Sequence, residues 1–187
     1  MIIKEIKKQK TKYLLVFEND HTLEVCEDSI VKHRLRPMLD VSLMMDDLKE
    51  ELKFDEFYKK VIRFASFGKS SFQIRDYCET HGVFETDMIV ERLKKEHYID
   101  DLKLLRRLQG QNYSKPELEY HLKRYLFPPD SISHVLSIYD EEKALRKSLD
   151  KLRIKYQKDP KKYEKIYRNL KSKGFNESLI QSMLNLE

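Results

Sequence analysis

The sequence predicts a mainly α-helical protein: an N-terminal β-hairpin followed by three tandem three-helix modules that form an elongated curved solenoid. Three observations support this fold class. Charged residues make up 37% of the 187-residue chain, whereas Gly, Pro and Trp number only 4, 5 and 0. Apolar residues after about residue 28 recur at helical spacing, and that spacing itself repeats. Such a composition favours solvated helices over a turn-rich β-sandwich, and 40% apolar residues suffice for a core.

The first segment, residues 1–50, is predicted to contain the hairpin and a linking helix. Two β-prone runs, residues 13–17 and 22–26, are separated by the turn-forming letters ENDH. Residues 2–6 are a candidate third strand. Helical periodicity begins after this segment, so the β-structure is expected to be confined to the N-terminus.

Three helical modules are predicted at residues 51–100, 101–140 and 141–187. Their central helices align through residues at steps of four, offset by 44 and then 48 positions. The aligned sets are Ser70, Ile74, Cys78 and Gly82; Ser114, Leu118, Leu122 and Leu126; and Lys162, Ile166, Leu170 and Gly174. The third helix of the first module needs a gap of about two residues to match. Because one unit of about 45 residues buries little surface, neighbouring modules are expected to stack.

Tyr98, Ile99, Asp100 and Asp101 mark the junction between the first two modules. The two apolar side chains are predicted to fill the seam between them. The two aspartates precede the helical letters LKLLRRL, where a carboxylate accepts exposed N–H groups and opposes the helix dipole. A catalytic or metal-binding pair is the alternative, but no third ligand lies nearby. The aspartates are therefore predicted to cap the following helix.

No motif in the chain indicates an enzyme. The letters FGKS at residues 67–70 resemble the end of a phosphate-binding loop, but the first glycine would stand at position 63, which is Arg63. The six histidines lack zinc-protease spacing, and the two cysteines match neither a disulfide framework nor a zinc finger. We therefore expect no catalytic activity, no cofactor and no metal. The absence of an apolar signal region or a bilayer-length run predicts a cytoplasmic protein.

Positive charge is concentrated in the C-terminal third. The whole chain carries +5, but residues 143–173 contain thirteen Lys or Arg against three acidic residues, with three tyrosines interleaved. This density is typical of a surface that contacts nucleic acid, although any single cation is more simply explained as part of a solvated face. The predicted contact residues are Arg63, Lys69, Arg75, Arg106, Arg107, Lys123, Arg124, Lys147, Lys151, Arg153, Lys155, Lys161, Lys162 and Lys165.

The letters SSFQIRDYCETHG, followed by VERLKKEHYIDD, resemble the first module of the RecX family, the regulators of the recombinase RecA. The Tyr-Ile-Asp-Asp signature at residues 98–101 is the most specific part of the likeness. The segment KQKTKYLLVFENDHTLEVCEDSIVKHRLRPMLDV is similar to the β-hairpin leader of longer members. His97 and Leu126 depart from the pattern, because the family has glycine at both positions.

The resemblance implies a non-enzymatic protein that binds RecA nucleoprotein filaments and modulates recombinase ATP hydrolysis, strand exchange and filament growth in DNA repair. The expected partners are therefore the RecA filament and single- or double-stranded DNA, bound without sequence preference and in a salt-sensitive way. The family transfers no specific contact residue to this chain. A second hypothesis is a stand-alone DNA-binding protein whose three-helix units act as helix-turn-helix readers.

Overall fold

The computed structural model describes residues 1–83 and 85–185. The chain divides into two compact units, Met1–Lys60 and a second unit that begins at Val61. Across the described residues there are three β-strands and ten α-helices. The predicted mainly helical fold with N-terminal β-structure is confirmed. The module boundaries at residues 51–100, 101–140 and 141–187 stay predictions.

The first unit opens with an antiparallel sheet of strands β1 (Ile3–Gln9), β2 (Lys12–Phe17) and β3 (Thr22–Val25) in that order. The predicted hairpin is β2 and β3, and the candidate third strand is present as β1, which extends three residues further than expected. Inward-facing residues alternate along β2, where Leu15 and Phe17 are buried. The sheet therefore has one covered face.

Two α-helices and a short 3-10 turn complete the first unit. They are α1 (Glu27–Lys32), the turn Ser42–Met44 and α2 (Met45–Ala65), the last of which continues into the second unit. Eight buried apolar residues of the first unit form a core cluster: Ile3, Leu15, Phe17, Val25, Leu35, Val41, Met45 and Leu48. Strand, loop and helix thus share a single core.

Glu51, on α2, links α2 to α1 and to His33, the residue that follows α1. Its carboxylate accepts hydrogen bonds from the Ser29 hydroxyl at 3.0 Å and the Lys32 ammonium at 2.5 Å, and lies 2.9 Å from His33 Nε2. Partial burial acts to raise the pKa of Glu51, but the hydrogen bonds from Lys32, His33 and Ser29 outweigh it and hold the pKa at about 2. Folding is therefore linked to the ionised carboxylate.

Replacing Glu51 with Gln should lower the free energy of unfolding by about 1–3 kcal/mol at neutral pH. The pKa of Glu51 is depressed in the folded state, so its contribution is present above about pH 4.5 and is lost as pH falls toward about 2. The stability difference between wild type and variant should shrink over that window. Chemical denaturation between pH 7 and pH 3 measures it, and a difference independent of pH would contradict the linkage.

The second unit consists of helices in groups of three, beginning with the end of α2. The remaining helices are α3 (Ser71–Thr80), α4 (Thr86–Lys95), α5 (Asp101–Gln109), α6 (Lys115–Arg124), α7 (Pro129–Ile138), α8 (Glu141–Lys155), α9 (Lys162–Ser172) and α10 (Glu177–Asn185). The central helices of the three groups are therefore α3, α6 and α9.

The central helices of the three groups share a buried apolar position and a left-handed turn after the helix. Ile74, Leu118 and Ile166 are buried at 0%, 0% and 1% relative exposure. Each of these helices is followed by a left-handed residue, with φ of +74° at Gly82, +58° at Leu126 and +82° at Gly174. Leu126 adopts this conformation despite its side chain, because the chain must turn there to begin the next helix.

Helices α5 to α10 share one apolar core. Its buried residues are Leu104, Leu108, Leu118, Leu122, Phe127, Ile132, Val135, Tyr139, Ala144, Leu145, Leu149, Leu152, Ile166, Leu170, Phe175 and Ile180. Phe72, from α3, packs against this core, with its ring centre 5.4 Å from that of Phe127. Successive groups of helices therefore bury apolar surface against one another, as expected of stacked repeats.

Replacing Leu118 with Asp should unfold the helices around α6, because the change puts a carboxylate in a core position without a charged partner. We expect a loss of more than about 4 kcal/mol of stability, or no cooperative folding. Thermal unfolding followed by circular dichroism measures the effect. Wild-type stability in this variant would show that the aligned positions are not equivalent core sites.

Candidate functional site

Ser70 joins the start of α3 to the end of α6. Its hydroxyl accepts the N–H of Gln73 at 3.1 Å, which caps α3, and donates to the carbonyl of Tyr125 at 2.6 Å. The Gln73 side chain adds a hydrogen bond to the carbonyl of Arg124 at 3.1 Å. One buried side chain thus satisfies polar groups at two helix ends that belong to neighbouring helix groups.

Ser114 repeats this arrangement one group further along the chain. Its hydroxyl accepts the N–H of Glu117 at 3.2 Å and donates to the carbonyl of Lys173 at 2.5 Å. Ser70 and Ser114 are both fully buried. We refer to these two junctions, centred on Ser70 and Ser114, as the first and second seams.

A carboxylate supports each seam from the following helix. Asp101 accepts the N–H of Ser71 at 2.9 Å and its hydroxyl at 2.5 Å, so it binds the start of α3. Glu141 accepts the N–H of Lys115 at 2.8 Å and binds the start of α6 in the same way. Both carboxylates stand at the first residue of their own helices, α5 and α8.

The two junction aspartates therefore have different roles. Asp100 caps α5 by accepting the N–H of Lys103 at 2.9 Å, as predicted. The prediction that Asp101 caps the same helix is wrong, because its carboxylate is directed to Ser71 in α3. Ile99 is buried as expected, but Tyr98 is 43% exposed and does not fill the seam.

The same geometry recurs before α8, where Asp140 accepts the N–H of Lys143 at 2.9 Å. Tyr139 takes the place of Ile99, and its hydroxyl donates to the carbonyl of Tyr113 at 2.7 Å. Burial raises the pKa of Tyr139 to about 12, so the hydroxyl stays protonated and available as a donor. These residues are structural parts of the repeat.

Replacing Asp101 with Ala should lower the free energy of unfolding by about 1–3 kcal/mol, because it leaves the N–H and hydroxyl of Ser71 without their acceptor. Asp100→Ala should cost about 1 kcal/mol through loss of a cap. A double-mutant cycle of Asp101→Ala with Ser71→Ala should show coupling of at least about 0.5 kcal/mol. Additive losses in denaturant titrations would mean that the two residues do not interact.

The fourteen predicted contact residues lie on different parts of the protein, and four of them already have carboxylate partners. Arg75 bonds Asp87 at 2.5 Å, Lys123 bonds Glu119 at 2.6 Å, Arg153 lies 3.9 Å from Asp150 and Lys165 bonds Asp159. A phosphate would have to displace these carboxylates. Arg63 and Arg106 are exposed and, within residues 1–83 and 85–185, form no ion pair.

Seven of the predicted cations lie on α8, on α9 or at the start of α9, and we call them the third-module surface. They are Lys147, Lys151, Arg153, Lys155, Lys161, Lys162 and Lys165. Lys147 and Lys151 are exposed one turn apart on α8, away from its buried residues. Lys155 and Lys162 lie over the rings of Tyr156 and Tyr163, at 5.2 Å and 4.7 Å from the ring centres.

Arg153 and Lys162 also line a shallow depression of about 290 Å³ between α8 and α9. Ile154 and Tyr163 form part of its wall and are 77% and 52% exposed. An exposed isoleucine among cations is suited to contact with protein as well as with phosphate. The tyrosines that alternate with the cations in the sequence therefore also lie beside those cations in the structure.

Three other predicted cations come together in a cleft beside the first seam. Lys69, Arg107 and Arg124 line a volume of about 390 Å³, which we call the Arg107 cleft. None of its lining residues in the described chain is Asp or Glu. The Arg107 guanidinium donates to the Tyr125 hydroxyl at 3.3 Å, and the Lys69 ammonium lies 4.7 Å from the centre of the Phe64 ring.

Sequence reasoning did not identify the uncharged residues of this cleft. Phe67, Gln73, Tyr113 and His121 line it together with the cations, and the rings of Tyr113 and His121 stack with centres 4.4 Å apart. The letters FGKS were the available signal, since Phe67 and Lys69 both belong to that loop. The same letters do not form a nucleotide-binding loop, because α2 runs through position 63.

No group of three His, Cys, Asp or Glu side chains in the part of the chain that the structure describes could hold a metal ion. Cys78 is buried, and burial raises its pKa to about 11, which makes its thiol a poor nucleophile. None of the described helices combines the length and the apolarity that crossing a bilayer requires.

The architecture defines a class: helical proteins whose stacked helix groups follow a small β-sheet in the chain and carry basic surfaces. The chain is 32% identical over 197 residues to the regulatory protein RecX of Streptococcus thermophilus strain CNRZ 1066, covering 99% of this chain and 76% of that protein. It is also 32% identical over 201 residues to the regulatory protein RecX of Streptococcus pyogenes serotype M1, with the same coverage.

A crystal structure of a regulatory protein RecX has the same fold. It superposes with a TM-score of 0.63 at 17% identity and covers 98% of both chains. No family model matches the sequence. Identity of 32% over nearly the whole chain is decisive, and the chain belongs to the RecX family of regulatory proteins.

Proposed function

We propose that the protein regulates RecA by binding the RecA–DNA filament, and that it reduces the filament's ATP hydrolysis, strand exchange and growth. Membership in a family of regulatory proteins supports a regulatory role. The observation that carries the DNA contact is the third-module surface, where Lys147, Lys151 and Lys161 are exposed and, among the described residues, form no ion pair. A cation without a carboxylate partner can contact a phosphate, and so release the counterions of that phosphate, without first breaking an ion pair.

The mechanism requires no catalytic group in this chain. A body of stacked helix groups presents cations from several helices at fixed spacings, because seam hydrogen bonds and a shared core hold the helices in place. Binding along the filament would stabilise one filament conformation over others, and the recombinase's own ATP hydrolysis would fall. The chain itself hydrolyses no ATP in this proposal.

The alternative, a stand-alone helix-turn-helix reader, has less support. Such a reader places the N-terminal residues of one helix against base edges in the major groove. The starts of α3 and α6 are occupied, because Ser70 and Ser114 bond neighbouring helix ends and are buried. Binding to bare duplex DNA should accordingly be weak and independent of sequence.

Charge reversal on the third-module surface tests the proposal. The variant carries Lys151→Glu, Arg153→Glu, Lys155→Glu, Lys161→Glu and Lys162→Glu. We expect it to co-sediment with RecA filaments on single-stranded DNA at least about tenfold less tightly, and to leave their ATP hydrolysis nearly uninhibited. Wild-type binding should weaken with added salt, and binding of the variant should depend on salt less steeply.

A matched control separates the effect of changing the third-module surface from the effect of changing the net charge. Five exposed lysines elsewhere are reversed to Glu, which gives the same change in total charge; they are Lys49, Lys53, Lys59, Lys60 and Lys95. This control should inhibit ATP hydrolysis more strongly than the surface variant. If the folded surface variant restrains filaments as strongly as wild type at low and high salt, the surface is only a solvated face.

A further inference from the structure

The Arg107 cleft concentrates positive charge, and none of the described residues that line it is acidic. Lys69 comes from the loop before α3, Arg107 from α5 and Arg124 from the last turn of α6, so three separate segments bring their cations to one concavity. No ion pair in residues 1–83 and 85–185 involves any of the three. Cations held close together repel one another, and an anion between them removes that cost.

The fold does not require this arrangement. The repeat relates α3 to α6, α5 to α8 and α6 to α9 by offsets of 44, 40 and 48 residues. Applied to the three cations, these offsets match Lys69 with Tyr113, Arg107 with Lys147 and Arg124 with Ser172. At these three matched positions, the second seam therefore has one cation and the first seam has three. The cationic cleft is particular to the first seam and is not a by-product of stacking.

An exposed aromatic ring stands at the edge of the cleft. Phe67 lines the cleft and is 74% exposed, although burial of its ring would stabilise the fold. The turn that presents it depends on Gly68, which has φ of +70°. A ring exposed beside cations is the arrangement by which proteins hold unpaired bases, with the phosphate on the cations and the base on the ring.

We propose that the Arg107 cleft binds single-stranded nucleic acid, with one phosphate held between Lys69, Arg107 and Arg124 and an adjoining base stacked on Phe67. The proposal rests on the proposed function, since it names the strand that a filament regulator would contact. Arginine donates to phosphate oxygens in a forked geometry, and the cleft contains two arginines.

Size and chemistry favour a single strand over other anionic partners. A volume of about 390 Å³ is in the range of small-ligand sites and accommodates one nucleotide unit rather than a duplex. An acidic protein segment would satisfy the cations but would make no use of the exposed Phe67 ring. Base stacking uses both features of the cleft and tolerates any sequence.

The test measures binding of the full-length chain to a labelled single-stranded oligonucleotide without recombinase, by fluorescence anisotropy. Arg107→Glu with Arg124→Glu should lower the affinity at least about tenfold. Phe67→Ala should lower the affinity about fivefold or more, and should remove the change in fluorescence that binding of the wild-type chain produces in a 2-aminopurine base of the oligonucleotide. Lys69→Ala is a milder variant for the case in which the double reversal does not fold.

Two control variants are matched to these changes. Lys94→Glu with Lys95→Glu reverses two exposed charges on α4, and Ile138→Ala removes an exposed apolar side chain from α7. Both controls should bind the oligonucleotide like wild type. Equal losses in the cleft variants and the controls would overturn the proposal, as would tighter binding of a polyglutamate peptide than of the oligonucleotide.

Filament assays with the same proteins distinguish this inference from the proposed function. A wild-type chain that restrains RecA filaments but binds no bare oligonucleotide would overturn the cleft and leave the proposed function standing. A chain that binds the oligonucleotide through the cleft but has no effect on filaments would overturn the proposed function and leave the cleft standing.

Discussion

The second unit depends on a buried serine that serves two helix ends at once. A helix start exposes N–H groups and a helix end exposes carbonyls, and both are costly to bury unpaired. The hydroxyl of Ser70 accepts from one and donates to the other, and Ser114 does the same in the next seam. Helix groups can therefore stack with their ends buried. An apolar side chain at either position would leave a carbonyl without its donor.

Helical periodicity in the sequence predicted the core positions correctly. The sequence did not predict the contacts that form between separate helices. Steps of four located Ile74, Leu118 and Ile166 in the core, because a buried helix face has a fixed period. The same spacing could not show that Asp101 binds Ser71 rather than its own helix, since both roles place a carboxylate at a helix start. The prediction that Tyr98 fills the seam is wrong for a similar reason, because no sequence pattern distinguishes a buried aromatic ring at a junction from an exposed one.

Some candidate binding residues could be predicted from local sequence, and others depend on tertiary contacts. Charge density in the sequence identified the third-module surface because its cations are close in the chain. The Arg107 cleft joins residues 69, 107 and 124, whose proximity depends on the first seam. Their partners Phe67 and His121 carry no sequence signal for binding, since an isolated aromatic or histidine is more often a packed or solvated residue. Only the folded chain places these groups together.

The first seam also explains why the cleft is where it is. Lys69 precedes Ser70, and Arg124 precedes Tyr125, so the hydrogen bond from Ser70 to the Tyr125 carbonyl brings the two cations to the same side of the junction. Gln73 adds a second contact, to the carbonyl of Arg124 itself. The interactions that stabilise the stack thus fix the spacing of charges on its surface. In the third group the position equivalent to Ser114 is Lys162, whose ammonium lies over Tyr163. A position that is a buried joint in two groups is, in the third, part of the proposed binding surface.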